Sequence, residues 1–219
     1  MLVSAPSIYE VVTRLPEGAV LRLDNVSWDD YEQLLAELGE GSATRIFYDD
    51  GRMEIMAPAF SHERAKNVVH DIVTTLRDAL DVEVLSYGST TLKRQLRAKG
   101  AEPDDCFYIQ NAARMIGKED FDLQHDPPPD LVIEVDRTSS SIDKFAIYAA
   151  LGVPEIWRLV KREVQIYLLN GERYETSPNS RAFPVLSTQK LSQLLALGLA
   201  KGERKAALAL RDWLRASRG

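Results

Sequence analysis

An acidic residue interrupts the apolar segment DLVIEVD at residues 130–136. Alternate side chains of a β-strand share a face, so Glu134 points with Val132 and away from Ile133. An ionised carboxylate among Val and Ile side chains is costly to desolvate unless it is paired or binds a metal ion. The alternative is a half-solvated antiparallel strand, in which apolar and polar residues often alternate. Glu134 is therefore a candidate catalytic or metal-binding residue.

Two further charged residues complement Glu134. Asp104 follows Pro103 at the start of a second predicted strand, and Lys144 lies in a predicted helix after the strand that carries Glu134. Two carboxylates on neighbouring strands suit Mg²⁺, a hard cation that binds a few carboxylates together with water and phosphate oxygens. A lysine beside them orients an attacking water or stabilises developing negative charge. The chemistry predicted from this set is hydrolysis of a nucleic-acid backbone.

The elements before Asp104 are expected to provide a helix, a hairpin and a second, longer helix. Residues 1–26 show no sustained period and predict an irregular lead-in, and Ser27 is typical of a helix N-cap. The segment RIFYDDGRMEIM at 45–56 has Asp-Gly between two alternating runs, which predicts a β-hairpin. The apolar spacing of residues 61–80 predicts a long amphipathic helix that begins at Ser61.

Glu63 lies in the first turn of that long helix. An acidic residue at this position complements the positive end of the helix dipole, which is a sufficient structural explanation. The alternative is a functional role beside Asp104 and Glu134. His70, further along the same helix, is expected to be a surface or packing residue.

The chain after Lys144 predicts a β-meander followed by helices. Residues 155–160 and 163–169 read as antiparallel strands, and Asn-Gly then turns the chain into residues 172–175. Residues 191–199 and 203–215 predict two terminal helices. Apolar residues of the last helix are available for packing or for contacts between subunits.

Composition restricts the class of protein. The chain has 219 residues and a net charge of −6, which argues against a generally basic nucleic-acid binder. Basic residues nevertheless cluster at 93–99 and 201–219, where they are suited to phosphate contacts. A single cysteine excludes an internal disulfide and a cysteine-based zinc site. Without a long apolar run or a signal-peptide pattern, we expect a cytoplasmic protein with no membrane segment.

Three stretches together resemble one family of proteins. They are EPDDCFYI at 102–109, PPPDLVIEVDRTSSSIDK at 127–144 and YAALGVPEIW at 148–157. The chain resembles the Uma-two family of endonucleases, within the PD-(D/E)XK or restriction-endonuclease-like superfamily, from about Trp28 to about Leu195. The resemblance implies an α/β fold with a restriction-endonuclease-like core, in which helices flank a central mixed β-sheet. An N-terminal helix-hairpin and a C-terminal helical extension are expected to complete it.

The resemblance also implies domain bounds and partners. We expect the lead-in to cover residues 1–26, the nuclease domain 27–195 and a C-terminal helix 196–219. The implied activity is that of a Mg²⁺-dependent endodeoxyribonuclease acting on DNA, with Mn²⁺ as a possible substitute and with no small organic cofactor. A homodimer is expected, because many nucleases of this superfamily cut two strands with two sites.

Residue by residue, the first acid of the superfamily falls on Asp104 and the second on Glu134, and Glu63 matches the acid often supplied by the first helix. These three are the implied metal ligands. The lysine expected two residues after Glu134 is replaced by Asp136, so Lys144 is the implied catalytic lysine, relocated to the following helix.

Two alternatives accompany this interpretation. Asp130 also follows a proline, so Pro129-Asp130 competes with Pro103-Asp104 as the signature pair. The other function classes are an inactive nucleic-acid-binding or regulatory protein that keeps the nuclease fold, and a structural scaffold whose acids are solvated surface residues.

Overall fold

Two β-sheets and the helices that cover them form the protein. The computed structural model describes residues 6–39, 42, 44–136 and 143–217. Its helices are α1 (Ile8–Val12), α2 (Trp28–Leu38), α3 (Phe60–Leu80), α4 (Ala112–Met115), α5 (Lys144–Leu151), α6 (Thr188–Lys201) and α7 (Glu203–Ala216). Its strands are β1 (Val20–Leu23), β2 (Arg45–Asp49), β3 (Arg52–Met56), β4 (Leu85–Ser86), β5 (Leu92–Arg94), β6 (Lys99–Ala101), β7 (Asp105–Tyr108), β8 (Leu131–Asp136), β9 (Glu155–Val160), β10 (Glu163–Asn170) and β11 (Arg173–Ser177).

The larger sheet is mixed, as predicted. Its six strands follow the order β11-β10-β9-β8-β7-β4. β8 and β9 are parallel and are joined through α5, whereas the other neighbours are antiparallel. A parallel pair needs a crossover connection, and the helix that carries Lys144 occurs in that connection. The sheet and crossover therefore fix where Lys144 lies relative to β8.

Both faces of the mixed sheet are covered. Leu131, Ile133 and Val135 of β8 belong to a core shared with α3, α6 and α7. Val132 belongs to a second core, which α5 and residues of the smaller sheet complete. Glu134 shares the face of Val132, so it points into a covered face. The half-solvated strand considered from the sequence is therefore wrong for β8, because its second face packs on another layer.

The smaller sheet has five antiparallel strands in the order β1-β3-β2-β6-β5. Phe47 of β2 packs toward the mixed sheet, whereas Ile46 and Tyr48 form a third core with Tyr31 and Leu34 of α2. The layers are thus α3, α6 and α7, then the mixed sheet, then α5 and the smaller sheet, and finally α2. Arg45 shares the face of Phe47 because strand side chains alternate.

Several local predictions are confirmed. Ser27 caps α2 by accepting a hydrogen bond from the backbone of Asp30. Asp50 and Gly51 have φ angles of 47° and 86°, as the central residues of a tight hairpin turn require. The β-meander of β9, β10 and β11 and both terminal helices also form.

Two expectations near the N-terminus are wrong. Residues 20–23 of the predicted lead-in form β1, because pairing with β3 supplies backbone hydrogen bonds that the local sequence does not signal. α3 begins at Phe60 instead of Ser61, and its N-cap residue Ala59 has no side-chain hydrogen bond. Instead the Glu17 carboxylate accepts from the Phe60 N–H at 2.5 Å, so a distant residue caps the helix.

The terminal helices bury several of their leucines within the chain. Leu194 and Leu195 of α6 and Leu210 and Leu214 of α7 lie in the core with α3. These residues are therefore used in internal packing. In the part of the chain that the structure describes, no helix is long and apolar enough to cross a membrane.

Candidate active site

The pairing of β7 with β8 brings two acids together. Asp105 lies opposite Ile133 and Cys106 opposite Val132 in this antiparallel pair. The same register, continued by one residue, places Asp104 opposite Glu134. The backbone N–H of Val135 donates to Asp104 Oδ2 at 2.7 Å, which fixes the carboxylate beside β8. The two acids predicted from the sequence therefore lie side by side on one face of the sheet.

Lys144 reaches this pair from the first turn of α5. Asp143 is the N-cap, since its side chain accepts from two backbone N–H groups of the first turn. The sequence also has serines at 139–141, a residue type suited to helix caps, but they lie outside the described residues. Lys144 Nζ lies 2.7 Å from Glu134 Oε2. It also lies 4.1 Å from the centre of the Phe47 ring, a cation–π contact that holds the ammonium group against β2.

A tyrosine completes the contacts of Glu134. Tyr148 follows Lys144 by four residues, so both occupy one face of α5. Its hydroxyl donates to Glu134 Oε1, and its side chain is fully buried. The spacing of four from Lys144 is a signal from which the sequence analysis could have identified Tyr148.

A buried arginine connects the acids of the two layers. Arg45 Nε lies 3.7 Å from Asp104 Oδ1, and Arg45 Nη2 lies 3.7 Å from Glu63 Oε1. The guanidinium is almost completely buried, and its Nε has no hydrogen-bond partner. Arg45 was missed from the sequence, because the pairing that places β2 over the mixed sheet is long-range.

Glu63 is connected to the pair less directly. Its side chain is 41% exposed, and Lys66 Nζ lies 2.5 Å from Oε2. The residue contacts Arg45, which in turn contacts Asp104. The structure therefore brings Asp104, Glu134 and Lys144 together and leaves Glu63 at the rim of the cluster, on the far side of Arg45.

Burial and charge shift two pKa values in the cluster. Burial raises the pKa of Glu134 to about 7, and the charge of Asp104 adds to this effect, whereas contact with Lys144 and Tyr148 opposes it. Burial lowers the pKa of Lys144. The carboxylates of Glu134, Asp104 and Asp136 raise it by more, so the pKa of Lys144 is raised overall. Lys144 is consequently a permanent cation near neutral pH and not a general base.

Asp136 occupies the position at which the superfamily has a lysine. Its main ion-pair partner is Arg158, whereas the partner of Glu134 is Lys144. Arg158 of β9 lies with its Nε 2.5 Å from Asp136 Oδ2. Lys144 Nζ is further away, 3.9 Å from Asp136 Oδ1. Asp136 is thus held mainly by Arg158, another residue that the sequence analysis missed.

Asp130 has a structural role at the other end of β8. Its Oδ2 accepts from the backbone N–H groups of Ile109 and Asn111, at 2.7 and 2.9 Å. Its Oδ1 accepts from the Asn111 side chain at 2.6 Å. Four residues along a strand correspond to about 13 Å, so Asp130 lies well away from Glu134. This position favours Pro103-Asp104 as the signature pair.

The donor set around Glu134 fits Mg²⁺ by its chemistry. Mg²⁺ takes one or two carboxylates from a protein and completes its shell with water and phosphate oxygens. Asp104 and Glu134 supply two such groups, and their mutual repulsion favours a cation between them. Within the described ranges, no group of three or more His, Cys, Asp and Glu side chains is arranged to hold a metal ion. The fit therefore depends on two protein ligands.

The fold and this cluster together define an α/β protein whose mixed sheet presents opposed acids and a lysine in one place. The chain matches the model of the Uma2 family, described as "Putative restriction endonuclease", over residues 28–200. It belongs to this family. The match begins at Trp28, as the resemblance did, and extends past Leu195, whereas the domain bounds stay a prediction. A search of curated proteins finds no significant match.

A solved structure shares the fold. It is the crystal structure of a "putative nuclease belonging to DUF820" from Anabaena variabilis. The TM-score is 0.50 at 16% sequence identity, and the match covers 78% of this chain and 99% of the other. At this identity the similarity shows the fold alone, and it confirms the predicted arrangement of sheets flanked by helices.

Proposed function

We propose that the protein is a Mg²⁺-dependent endonuclease that hydrolyses phosphodiester bonds in DNA. One observation carries the proposal: Asp104 lies opposite Glu134, and Lys144 is hydrogen-bonded to Glu134. Membership of a family described as "Putative restriction endonuclease" supports the reaction class and the substrate.

Asp104 and Glu134 are the proposed ligands of Mg²⁺ or Mn²⁺, with Glu63 as a further acid at the rim. When bound, the ion polarises the phosphodiester and lowers the pKa of an attacking water. Lys144 keeps its charge at neutral pH, so it is suited to orient that water and to stabilise negative charge on the phosphoryl oxygens. Phe47 restricts the ammonium to the position from which it acts.

Tyr148 and Arg45 are proposed positioning residues. The Tyr148 hydroxyl fixes one oxygen of Glu134, while Lys144 contacts the other. Arg45 offsets the charge of the buried Asp104 and of Glu63 at the rim. Outer partners of this kind orient metal-binding carboxylates, and their loss typically lowers metal affinity or activity by about 10- to 100-fold.

The test is cleavage of supercoiled plasmid DNA by the purified protein with Mg²⁺ or Mn²⁺. Glu134→Ala and Lys144→Ala are expected to abolish cleavage. Glu172→Ala, an exposed residue in the turn after β10, is the matched control and retains it. Unchanged cleavage in both site variants contradicts the proposal, as does a wild-type protein that cleaves without a divalent cation.

A specific observation favours a second candidate, a non-catalytic nucleic-acid-binding protein. Both oxygens of Glu134 already have donors, and the side chain is only 2% exposed. Calorimetric titration with Mg²⁺ separates the candidates. Metal binding that requires Asp104 and Glu134 supports the enzyme, whereas salt-sensitive DNA binding without metal binding or cleavage supports the binding protein.

A homodimer is part of the proposal, because one site in each of two chains is needed to cut both strands of a duplex together. Leu194, Leu195, Leu210 and Leu214 are buried within the chain, so an interface on α6 or α7 is limited to half-buried residues such as Leu208 and Trp213. Light scattering measures the mass directly, and a monomer at the concentrations that cut DNA contradicts this part. The cytoplasmic location likewise stays a prediction.

A further inference from the structure

A row of polar residues crosses the face of the mixed sheet that carries Glu134. Arg158 of β9 lies beside Glu134 in the parallel pair, and Gln165 of β10 lies opposite Arg158. With Asp104 opposite Glu134, the row extends over four neighbouring strands. The next row on this face is apolar, since Val132 lies beside Ile156 and both are fully buried. The polar row therefore leads from the paired acids toward β10.

Arg158 is the cation of this row, and it is more accessible to solvent than Lys144 of α5. Its side chain is 36% exposed, compared with 10% for Lys144. Asp136 holds it through Nε, and the guanidinium carbon lies 5.8 Å from the centre of the Phe145 ring. The Tyr167 side chain is a second hydrogen-bond partner of Arg158. A guanidinium has five N–H donors in a planar fork, so these two contacts leave donors for a phosphate. Arg158 is therefore held in one orientation and keeps N–H donors for a further contact.

We propose that Arg158 binds a backbone phosphate of the DNA next to the phosphate that is cleaved, and that Asp136 positions Arg158 for this contact. The inference rests on the proposed endonuclease function. Two strand spacings, about 10 Å, separate Arg158 from Asp104 across the sheet. A substrate strand that contacts the half-exposed Arg158 thus places the neighbouring, cleaved phosphate at Lys144, which is less buried than Glu134.

This proposal gives Asp136 a function that its position in the sequence does not predict. Asp136 stands two residues after Glu134, yet its closest cation is Arg158 and not Lys144. Its carboxylate competes with phosphate for the guanidinium. Removal of the Asp136 charge is expected to strengthen DNA binding, whereas removal of Arg158 is expected to weaken it. A metal-binding role for Asp136 predicts no such gain.

The experiment measures binding of a fluorescein-labelled DNA duplex by anisotropy, in EDTA and over a series of salt concentrations. For Arg158→Ala we expect a loss of affinity of about tenfold and a salt slope smaller by about one phosphate contact. Arg158→Lys retains part of the affinity, and Asp136→Asn gains a few-fold. Arg173→Ala is the matched control, because Arg173 is exposed and pairs with Asn170 at the opposite end of the sheet.

The outcomes separate this inference from the proposed function. If the wild type cleaves DNA and Arg158→Ala binds DNA with the affinity and salt slope of the wild type, the inference is overturned. The proposed endonuclease function is then unaffected. A loss of affinity in Asp136→Asn equal to that in Arg158→Ala also overturns it. If the wild type neither binds nor cleaves DNA, the proposed function falls and the inference falls with it. Circular-dichroism melting of each variant verifies that it is folded.

Discussion

Asp104 lies opposite Glu134 across the antiparallel pair of β7 and β8, on a face of the mixed sheet that other layers cover. Two like charges in this position repel each other, and burial increases the cost because the local dielectric constant is low. Lys144 and Arg45 offset that charge from α5 and β2. The pair is therefore a place where the protein favours positive charge, and this property connects the fold to the proposed metal chemistry.

Asp104→Asn is expected to weaken Mg²⁺ binding by at least about tenfold, since one of two proposed ligands loses its charge. Isothermal titration calorimetry measures the affinity. Asp130→Asn is the matched control, because Asp130 also follows a proline but binds backbone and side-chain groups of the β7–α4 turn. It is expected to keep the Mg²⁺ affinity and to lower the melting temperature. The reverse result would identify Pro129-Asp130 as the signature pair.

Local patterns in the sequence are sufficient to predict most of the elements. Interactions between near neighbours determine three of them: the strand at 130–136, the Asp-Gly turn at 50–51 and the helix at 61–80. Such interactions act similarly in any fold, so these elements were predicted correctly. The proximity of Asp104, Glu134 and Lys144 also agrees with the sequence analysis, whereas their catalytic roles stay predictions.

The residues that were missed depend on contacts between distant parts of the chain. Arg45 contacts Asp104 only because β2 packs over the mixed sheet, and Glu17 caps α3 across more than forty residues. Arg158 meets Asp136 through the parallel pairing of β8 with β9. No periodicity or local motif encodes such contacts. They require the order of strands in the two sheets, which the sequence alone did not provide.

Tyr148→Phe is expected to retain the fold and to lower the cleavage rate by roughly 10- to 100-fold, with a higher Mg²⁺ concentration at half-maximal rate. The phenol hydroxyl fixes one oxygen of Glu134, and phenylalanine keeps the ring without that donor. Cleavage rates over a Mg²⁺ titration test this expectation. In the control Tyr108→Phe, the hydroxyl that is lost donates to the Pro127 carbonyl instead. Equal rates in the two variants would exclude a positioning role for Tyr148.

Arg45→Met is expected to destabilise the protein by about 3–5 kcal/mol, because it removes one partner of a buried ion pair and leaves Asp104 without that partner. Urea unfolding measures the loss. The control is Arg52→Met in the same hairpin, where the arginine is half-exposed and pairs with Asp49. An exposed partner of this kind contributes about 1 kcal/mol or less. Similar losses in both variants would show that the charge of Arg45 is not needed by the buried acids.

The free energy of unfolding without divalent cations is expected to fall as pH rises between about pH 5 and 7, and Glu134 is one cause. Burial raises its pKa from 4.5 to about 7 in the folded protein, so the folded state binds more protons than the unfolded chain in this range. The contribution of Glu134 is present below pH 4.5 and is lost as pH rises through 7. The shift corresponds to a loss of about 3 kcal/mol.

Glu134→Gln removes this titration, so its unfolding free energy should fall less steeply over the same interval. Urea unfolding of both proteins at pH 5, 6 and 7 in EDTA gives the two slopes. His70, whose pKa is raised by its hydrogen bond with Asp105, and Glu102, whose pKa burial raises, are present in both proteins. The difference between the slopes therefore isolates Glu134. Parallel pH profiles would mean that the pKa of Glu134 is the same in the folded and unfolded states. The acid pair would then not be under the electrostatic strain that favours a bound cation.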